Sequence, residues 1–431
     1  MNLNRRFFLQ SSGLLAAYIG VSPMEAIANA GLVASRKGKT AKGKTLVVIF
    51  LRGGADGLNL VVPFGDPHYR KLRPSLAIGA PGAGDNAALD LDGTFGLHPR
   101  LSSLKPFFDS KVMVAAHAVG YSKNTRSHFE EQDVWETGVI GNTVGSDGWL
   151  NRHLSTSDGH GRIRAVAIGD TLPRILRGKA PAYALRGVED LSPPESDGLG
   201  ADKVKAALEH AYCTPLPGDR DAARALLADT AGNTLEAIDD LRAIAGKKYR
   251  PKSPYPETDL GRRLMQVARL IRADVGLEVA EVDFGGWDTH NAQGRGAGGQ
   301  FGNLAGELAA AVAAFMSDME DRMDDVVVAT LTDFGRTAAE NGTGGTDHGW
   351  ANCMLVAGGA VKRAAEARVA ASPIVTKWPG LGPDQLHDKR DLLHTTDFRD
   401  VLAELVRVHL GNANLEKVLP AHDFKPVGLV A

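Results

Sequence analysis

Continuous apolar runs alternate with amphipathic stretches along most of the chain. TLVVIFL (Thr45–Leu51), LEVAEVDF beginning at Leu277 and VVVATLTDF beginning at Val326 are largely apolar, which is typical of strands that are covered on both faces. Residues 260–273 and 304–323 carry the amphipathic pattern of helices. Strands that alternate with helices in this way predict an α/β domain with a mainly parallel sheet.

Two segments rich in proline and charge, LSPPESDG and KKYRPKSPYPET, enclose a helical block. The strand pattern resumes after this block, which favours an insertion over a second domain. We therefore predict one α/β domain over residues 45–431, with a helical insertion over about residues 191–258.

The first 44 residues have the pattern of an export signal and a linker. Arg5 and Arg6 precede a modestly apolar run, and small residues follow at Ala28 and Ala30, as in a twin-arginine signal peptide. The run is about half of the roughly 20 apolar residues that a membrane-spanning helix needs. We predict a signal over residues 1–30, a basic linker over residues 31–44, and export by the twin-arginine translocase. The mature protein would be periplasmic or secreted, with no stable membrane anchor after cleavage.

The charge balance argues against nucleic acid as a partner. The 431 residues include 49 basic and 51 acidic side chains, for a formal net charge of -2, so no overall positive field favours a polyanion. Cys213 and Cys353 are the two cysteines, and they lie far apart in the sequence. One disulfide is an option, but we expect two buried free thiols.

Polar motifs follow directly after several predicted strands, and the strand ends of an open parallel sheet share one crevice. Carboxylates and imidazoles are frequent in these motifs, and both groups bind zinc and other divalent ions. The motifs are LRGGADGLN, YSKNTRSHFEEQD, FGGWDTHNAQ, TDFGRT and GGTDHGW. The candidate metal ligands are Asp56, Asp288, His290, Asp333, Asp347 and His348.

Ser127 is the candidate nucleophile, because a hydroxyl at a helix N-terminus near metal ions is well placed to become an anion. The motif SHFE is also a capping box, in which Ser127 caps the helix and Glu130 reaches back. Arginines of the motifs are suited either to binding a tetrahedral oxyanion or to surface ion pairs. The candidate substrate-binding residues are Arg52, Arg126, His128 and Arg336.

Three of the aspartates also allow a structural role. Asp56 lies in the glycine-rich motif GADG, where the side chain of an aspartate often forms a hydrogen bond to its own backbone in a turn. Asp288 could orient His290 rather than bind a metal ion. Asp347 is either a ligand or only a turn residue.

A family resemblance rests on the twin-arginine start and on four motifs: LRGGADGLNLVVP, TRSHFEEQD, GGWDTHNAQ and DFGRTAAENGTGGTDHG. Together these features resemble an exported bacterial family, domain of unknown function 1501 (DUF1501). The resemblance covers almost the whole chain. The family is placed in the alkaline phosphatase-like superfamily, which implies a three-layer α/β/α sandwich and metal-dependent hydrolysis of phosphate or sulfate esters.

The resemblance also implies roles for individual residues. Ser127 stands at the position of the superfamily nucleophile, and the matched metal ligands are Asp56, Asp288, His290, Asp333 and His348. Two departures concern the ligand set: Phe334 stands where a histidine is usual, and the spacing in DTH is shorter than usual. The CTPLP motif at Cys213 lacks the arginine of C-x-P-x-R, which argues against a formylglycine sulfatase.

The leading hypothesis is an exported metal-dependent hydrolase of phosphate or related sulfate esters, acting on a small-molecule or polymer ester. It would hold one or two divalent ions, with zinc expected first and magnesium, calcium or manganese as alternatives. A second hypothesis, motivated by Phe334, is a non-catalytic binding or assembly protein that keeps the fold. A third is a metal-independent esterase that uses Ser127 with His290 or His348.

Overall fold

The structure is a computed structural model that describes residues 43–159, 161–188, 232, 236–294, 296–367 and 372–431. The predicted signal peptide, nearly all of the basic linker and Cys213 lie outside these residues. The predicted insertion is described only at residue 232 and from residue 236 onward. No helix within the described ranges is long and apolar enough to cross a membrane.

Strands and helices alternate along the chain. The strands are β1 (Thr45–Leu51), β2 (Val61–Val62), β3 (Leu89–Asp90), β4 (Gly96–Leu97), β5 (Met113–Gly120), β6 (Ala165–Ile168), β7 (Tyr183–Leu185), β8 (Val279–Phe284), β9 (Val326–Thr332), β10 (Asn352–Gly358), β11 (Leu386–His387), β12 (Asp391–Leu392) and β13 (Thr396–Asp397). The α-helices are α1 (Gly57–Leu60), α2 (Tyr69–Leu72), α3 (Lys105–Asp109), α4 (His128–Thr137), α5 (Trp149–Thr156), α6 (Asp259–Arg272), α7 (Gly299–Asp318), α8 (Gly359–Ala367), α9 (Phe398–Glu404) and α10 (Leu415–Val418). Short 3₁₀ turns cover Pro99–Leu104, Arg174–Leu176 and Glu320–Asp325, and Leu405–His409 is a π-helical turn.

The chain forms two compact units. The larger unit comprises Lys44–Ser146, Pro251–Met265 and Glu281–Ala431. Its sheet strands lie in the order β13-β5-β10-β9-β1-β8. Among them β1 pairs in parallel with β9, β13 pairs in parallel with β5, and β10 runs antiparallel to β5 and β9.

The smaller unit has described residues in Asp147–Arg250 and in Gln266–Ala280. Its strands β6 and β7 pair in parallel, with Val166 opposite Tyr183. In α5, the amide of Asn151 donates to the carbonyls of Leu176 and Ala180, both at 2.8 Å. These bonds tie the helix to the loops after β6.

Strand β1 shows why the apolar runs form the centre of the sheet. All seven of its residues are buried, so neither face meets water and the run needs no polar alternation. Its partner β9 is in register from Thr45 opposite Val326 to Leu51 opposite Thr332. Because the two strands are parallel and end together, the loops that follow them begin at the same edge of the sheet.

Helix α4 begins directly after a polar loop and ends at a glycine. Gly138 adopts a left-handed conformation with φ 64° and closes the helix C-terminus, which a residue without Cβ does at low cost. Arg126, two residues before the helix, also has a positive φ of 62°. That turn sets the direction of the backbone just before His128.

The predicted fold class is confirmed, whereas the predicted single domain with a helical insertion stays a prediction. The protein has an α/β fold with a mixed, mainly parallel central sheet of eight strands. The helices predicted over residues 260–273 and 304–323 are α6 and α7, and the second ends earlier than predicted, at Asp318. Cys353 is a buried free thiol.

Candidate metal centre

Loops from several elements of the larger unit bring the predicted site residues to one edge of the sheet. Residue Asp333 directly follows β9, and Asp288 lies four residues after the end of β8. His128 is the first residue of α4, and His348 lies shortly before β10. The glycines in these loops allow close backbone approach: a Cβ added at Gly53 would lie 2.6 Å from the Asp288 amide nitrogen.

Three imidazoles surround one carboxylate oxygen. The Nε2 atoms of His290, His348 and His128 lie 3.0, 3.1 and 3.4 Å from Asp288 Oδ1. Three of these residues, His128, Asp288 and His348, have ligand atoms that all lie within 4.8 Å of one another, which is compatible with a shared metal ion. We call the three histidines the imidazole cluster.

The other ring nitrogen of each histidine contacts an acceptor. His128 Nδ1 lies 2.6 Å from Asp333 Oδ2, and His348 Nδ1 lies 2.9 Å from the carbonyl oxygen of Arg126. His290 Nδ1 lies 3.2 Å from Asp347 Oδ1. Acceptors at Nδ1 favour the tautomer that carries its proton there, which leaves the Nε2 lone pair free.

With these tautomers, the Nε2 atoms that face Asp288 carry lone pairs rather than protons. Nε2 of His290 and Nε2 of His348 are only 2.8 Å apart, and Nε2 of His128 is buried with no hydrogen-bond partner. Facing lone pairs repel unless a proton or a cation lies between them. The donor set, two or more imidazoles and one carboxylate, is one that zinc and similar ions prefer, so these residues fit a divalent metal ion.

The electrostatics of the cluster keep Asp288 ionised. Desolvation pushes the pKa of Asp288 up, but the Arg336 guanidinium and the neighbouring histidines outweigh it and lower the pKa to about 2. The hydrogen bond to Asp333 raises the pKa of His128. Burial lowers the pKa of His348, which favours the neutral imidazole that a metal ion requires.

Arg336 is buried beneath the site, and all three of its guanidinium nitrogens donate to acceptors within the protein. Its Nη2 donates to Asp288 Oδ1 at 2.6 Å, its Nε donates to the Gly54 carbonyl at 2.6 Å, and its Nη1 donates to the Thr346 carbonyl at 2.9 Å. It also donates to the carbonyl of Gly53. The Arg336 side chain is 0% exposed and its donors are used within the protein, so its predicted contact with substrate stays a prediction.

Asp56 does not join the imidazole cluster. Its Oδ2 accepts from Arg73 Nη1 at 2.6 Å and from Gln293 Nε2 at 2.7 Å, and both side chains of the Asp56–Arg73 pair are 0 % exposed. This buried ion pair compensates the carboxylate charge, and Asp56 Oδ1 has no hydrogen-bond partner. Asp56 therefore lies outside the candidate metal group, and its role as a metal ligand stays a prediction.

The remaining predicted arginines are paired with carboxylates. Arg52 contacts Glu136 at 2.6 Å and Asp283 at 2.5 Å, and Arg126 contacts Asp391 at 2.7 Å. Their predicted contact with substrate stays a prediction. The backbone carbonyl of Arg126 contacts Nδ1 of His348 and thereby orients its ring.

Ser127 is the N-cap residue of α4, but its side chain makes no capping hydrogen bond. The capping-box interpretation of SHFE is therefore wrong at its central contact. The half-buried Ser127 hydroxyl stands next in the chain to His128, at the helix end whose dipole favours an anion. Its role as nucleophile stays a prediction.

The comparisons with known proteins identify the family. Residues 141–417, well over half of the chain, match the family described as "Protein of unknown function (DUF1501)". The chain belongs to the DUF1501 family. No curated protein matches the sequence.

A solved structure matches the DUF1501 chain at a low level. It is the crystal structure of PsFucS1 sulfatase from Pseudoalteromonas sp., with 10% sequence identity and a TM-score of 0.33. The match covers 78% of this chain and 66% of the sulfatase chain, so this chain spans just under two thirds of the sulfatase length.

Several functional contacts in this DUF1501 protein were missed by sequence reasoning. His128 was predicted to bind substrate, whereas the structure places it in the group that could hold a metal ion. Gln132, one helical turn later, donates to Asp333 Oδ2 at 2.8 Å. The spacing of His128 and Gln132 by four residues places both on one face of α4, which was a signal in the sequence for a shared partner.

Phe334 closes the site from the apolar side. Its buried ring lies with its centroid 4.6 Å from that of His128 and 4.5 Å from that of His348. Phe334 thus packs against two imidazoles and restricts their rotation. Asn341 adds a further contact, donating to Asp347 Oδ1 at 3.0 Å.

Proposed function

We propose that this DUF1501 protein is an exported, metal-dependent hydrolase of phosphate or sulfate esters. The observation that carries the proposal is the convergence of three Nε2 atoms on Asp288 Oδ1, with every Nδ1 held by an acceptor. The export part rests on the twin-arginine pattern of residues 1–30 in the sequence.

His128, Asp288 and His348 would hold the ion. Three protein ligands leave a coordination position open, which distinguishes catalytic zinc sites from closed structural ones. Imidazole ligands favour zinc over magnesium or calcium. His290 lies beside this group, with its side chain 35% exposed and its ring held by Asp347, and would support the exposed side of the site.

A bound divalent ion would supply Lewis-acid polarisation of the ester oxygen. The chain would supply the rest. Ser127 would attack from the N-terminus of α4, where the helix dipole stabilises the developing alkoxide. Asp333, Asp347 and the Arg126 carbonyl would hold the imidazoles so that Nε2 and not Nδ1 faces the site.

The test combines metal analysis with turnover of 4-nitrophenyl phosphate and 4-nitrophenyl sulfate. We expect zinc in the purified protein, turnover of one ester, and loss of turnover in chelator that zinc restores. Ser127→Ala should lower kcat by at least about 100-fold, whereas Ser122→Ala, an exposed serine of the same loop, should leave kcat unchanged. Protein without divalent metal and without chelator-sensitive turnover would refute the proposal.

A non-catalytic binding protein is the second candidate. Three arginines were predicted to bind an oxyanion, but Arg52 and Arg126 are paired with carboxylates and Arg336 is buried. The shortage of free arginines at the site favours this candidate. This candidate predicts metal binding without turnover of either ester. The metal-independent Ser/His esterase predicts instead that turnover is insensitive to chelator.

A further inference from the structure

We infer that Arg336 takes the place of a second metal ion, so that the site binds a single divalent cation. The inference rests on the proposed metal centre and adds the number of ions and the reason for it. It concerns how the negative charge of Asp288 and of its neighbouring aspartates is compensated.

The Arg336 guanidinium is a permanent cation in direct contact with the candidate ligand oxygen. An arginine side chain does not lose its proton in a protein. Nη2 lies 2.6 Å from Asp288 Oδ1, the same oxygen that the imidazole cluster surrounds. A second dication bound to Asp288 would therefore face a fixed positive charge at close range.

Arg336 cannot swing away to admit a second ion. Its three nitrogens donate to the backbone carbonyls of Gly54, Thr346 and Trp287 as well as to Asp288. The side chain is fully buried, so moving it would leave several carbonyl groups without donors inside the protein.

The two buried aspartates nearest in sequence to the strand ends are already held by partners within the protein. Asp333 is 0 % exposed, and both of its oxygens are used: Oδ1 accepts from the Gly53 amide, and Oδ2 accepts from His128 and Gln132. Asp56 Oδ2 is paired with Arg73 and Gln293, and its Oδ1 is buried away from the imidazole cluster without a hydrogen-bond partner. Over the described ranges, His128, Asp288 and His348 form the single group of three or more potential ligands.

The first experiment counts ions. The purified chain is stripped with chelator, reloaded with excess zinc, desalted and analysed by inductively coupled plasma mass spectrometry. We expect one zinc per chain for the wild type and for Asp56→Asn, because Asp56 lies outside the proposed ligand group. Two zinc ions per wild-type chain would overturn the inference and leave the proposed hydrolase intact, whereas no bound zinc would overturn both.

The second experiment isolates the charge of Arg336. Arg336→Lys keeps the positive charge and Arg336→Gln removes it, while both lose the hydrogen bonds of the guanidinium fork. If Arg336 acts as a fixed cation, the Gln variant should bind zinc at least about tenfold more tightly than the Lys variant in chelator competition. Equal affinities in the two variants would show that Arg336 acts through packing alone. Thermal melting establishes that both variants fold; should either fail to fold, the ion count in wild type and Asp56→Asn decides.

Discussion

Two aspartates in similar sequence surroundings, Asp56 and Asp288, differ in burial and in the side chains that contact them. Asp56 in RGGADG and Asp288 in FGGWDT both follow buried strands and glycine pairs, and each lies 2.6 Å from an arginine nitrogen. Asp56 is 0% exposed and its further partner is Gln293. Asp288 has a side chain 45% exposed and is surrounded by the imidazole cluster.

The difference teaches that an arginine next to an aspartate does not by itself decide between structure and chemistry. At Asp56 the ion pair is sealed, and breaking it would leave a buried charge uncompensated. At Asp288 the arginine supplies one positive charge, but three imidazole Nε2 atoms also lie within 3.4 Å of the same oxygen. The exposed Asp288 is therefore suited to bind a cation, whereas the buried Asp56 stabilises the loop after β1.

Asp288→Ala should have the largest effect on metal binding. Removing the oxygen that the imidazole cluster surrounds should abolish zinc binding, with at least about a thousandfold loss of affinity. Chelator competition measures the affinity. A variant that still bound one zinc ion with unchanged affinity would show that Asp288 is not a ligand.

Asp56→Ala should have the largest effect on stability. It leaves Arg73 charged and unpaired in a sealed site, which should lower the free energy of unfolding by about 3–5 kcal/mol. Urea denaturation of the metal-free protein measures this change. Folded Asp56→Ala should still bind one zinc ion, and loss of zinc from folded protein would return Asp56 to the ligand set.

Acid should destabilise the fold through His98 and His117, two buried histidines whose pKa values are influenced by the Asp56 carboxylate. Burial lowers the pKa of His98 and of His117 from 6.5 to about 4. Between these values the unfolded chain binds more protons than the folded one, so stability is complete above pH 6.5 and falls as the pH drops towards 4, by about 3 kcal/mol per histidine. Urea midpoints of the metal-free protein at pH 7.5, 6 and 5 measure the slope, and His117→Gln should reduce it. A stability that does not change over this range would contradict the prediction.

Asp333→Asn should weaken zinc binding without abolishing it. The carboxylate orients His128 through Nδ1 at 2.6 Å, and loss of such an outer partner costs about 10–100-fold in metal affinity. Chelator competition tests this value, and one bound zinc per chain at saturation is the control. Complete loss of zinc would show that Asp333 is itself a ligand.

Asp347→Asn should have the smallest effect. Its side chain is 54% exposed, and its contact with His290 is 3.2 Å long, so we expect less than about a tenfold loss of zinc affinity. An effect as large as that of Asp333→Asn would indicate that Asp347 is itself a metal ligand.

The sequence allowed prediction of the sheet and of the residues that meet at its edge, because both signals are local. The apolar runs of β8 and β9 identify buried strands, and DTH follows the end of β8 while TDFGRT covers the end of β9. The partners that decide each aspartate's role are not local: Arg73 lies 17 residues from Asp56 without a motif of its own. Arg336 and His128 were assigned to substrate because sequence alone does not show which way a side chain points.

Anomalous diffraction at the zinc edge, from crystals of the zinc-loaded protein, tests the metal centre most directly. The structure predicts one anomalous peak per chain, in contact with Nε2 of His128, Oδ1 of Asp288 and Nε2 of His348. A peak in contact with Asp56, a second peak beside Asp288, or no peak within the imidazole cluster would contradict this account.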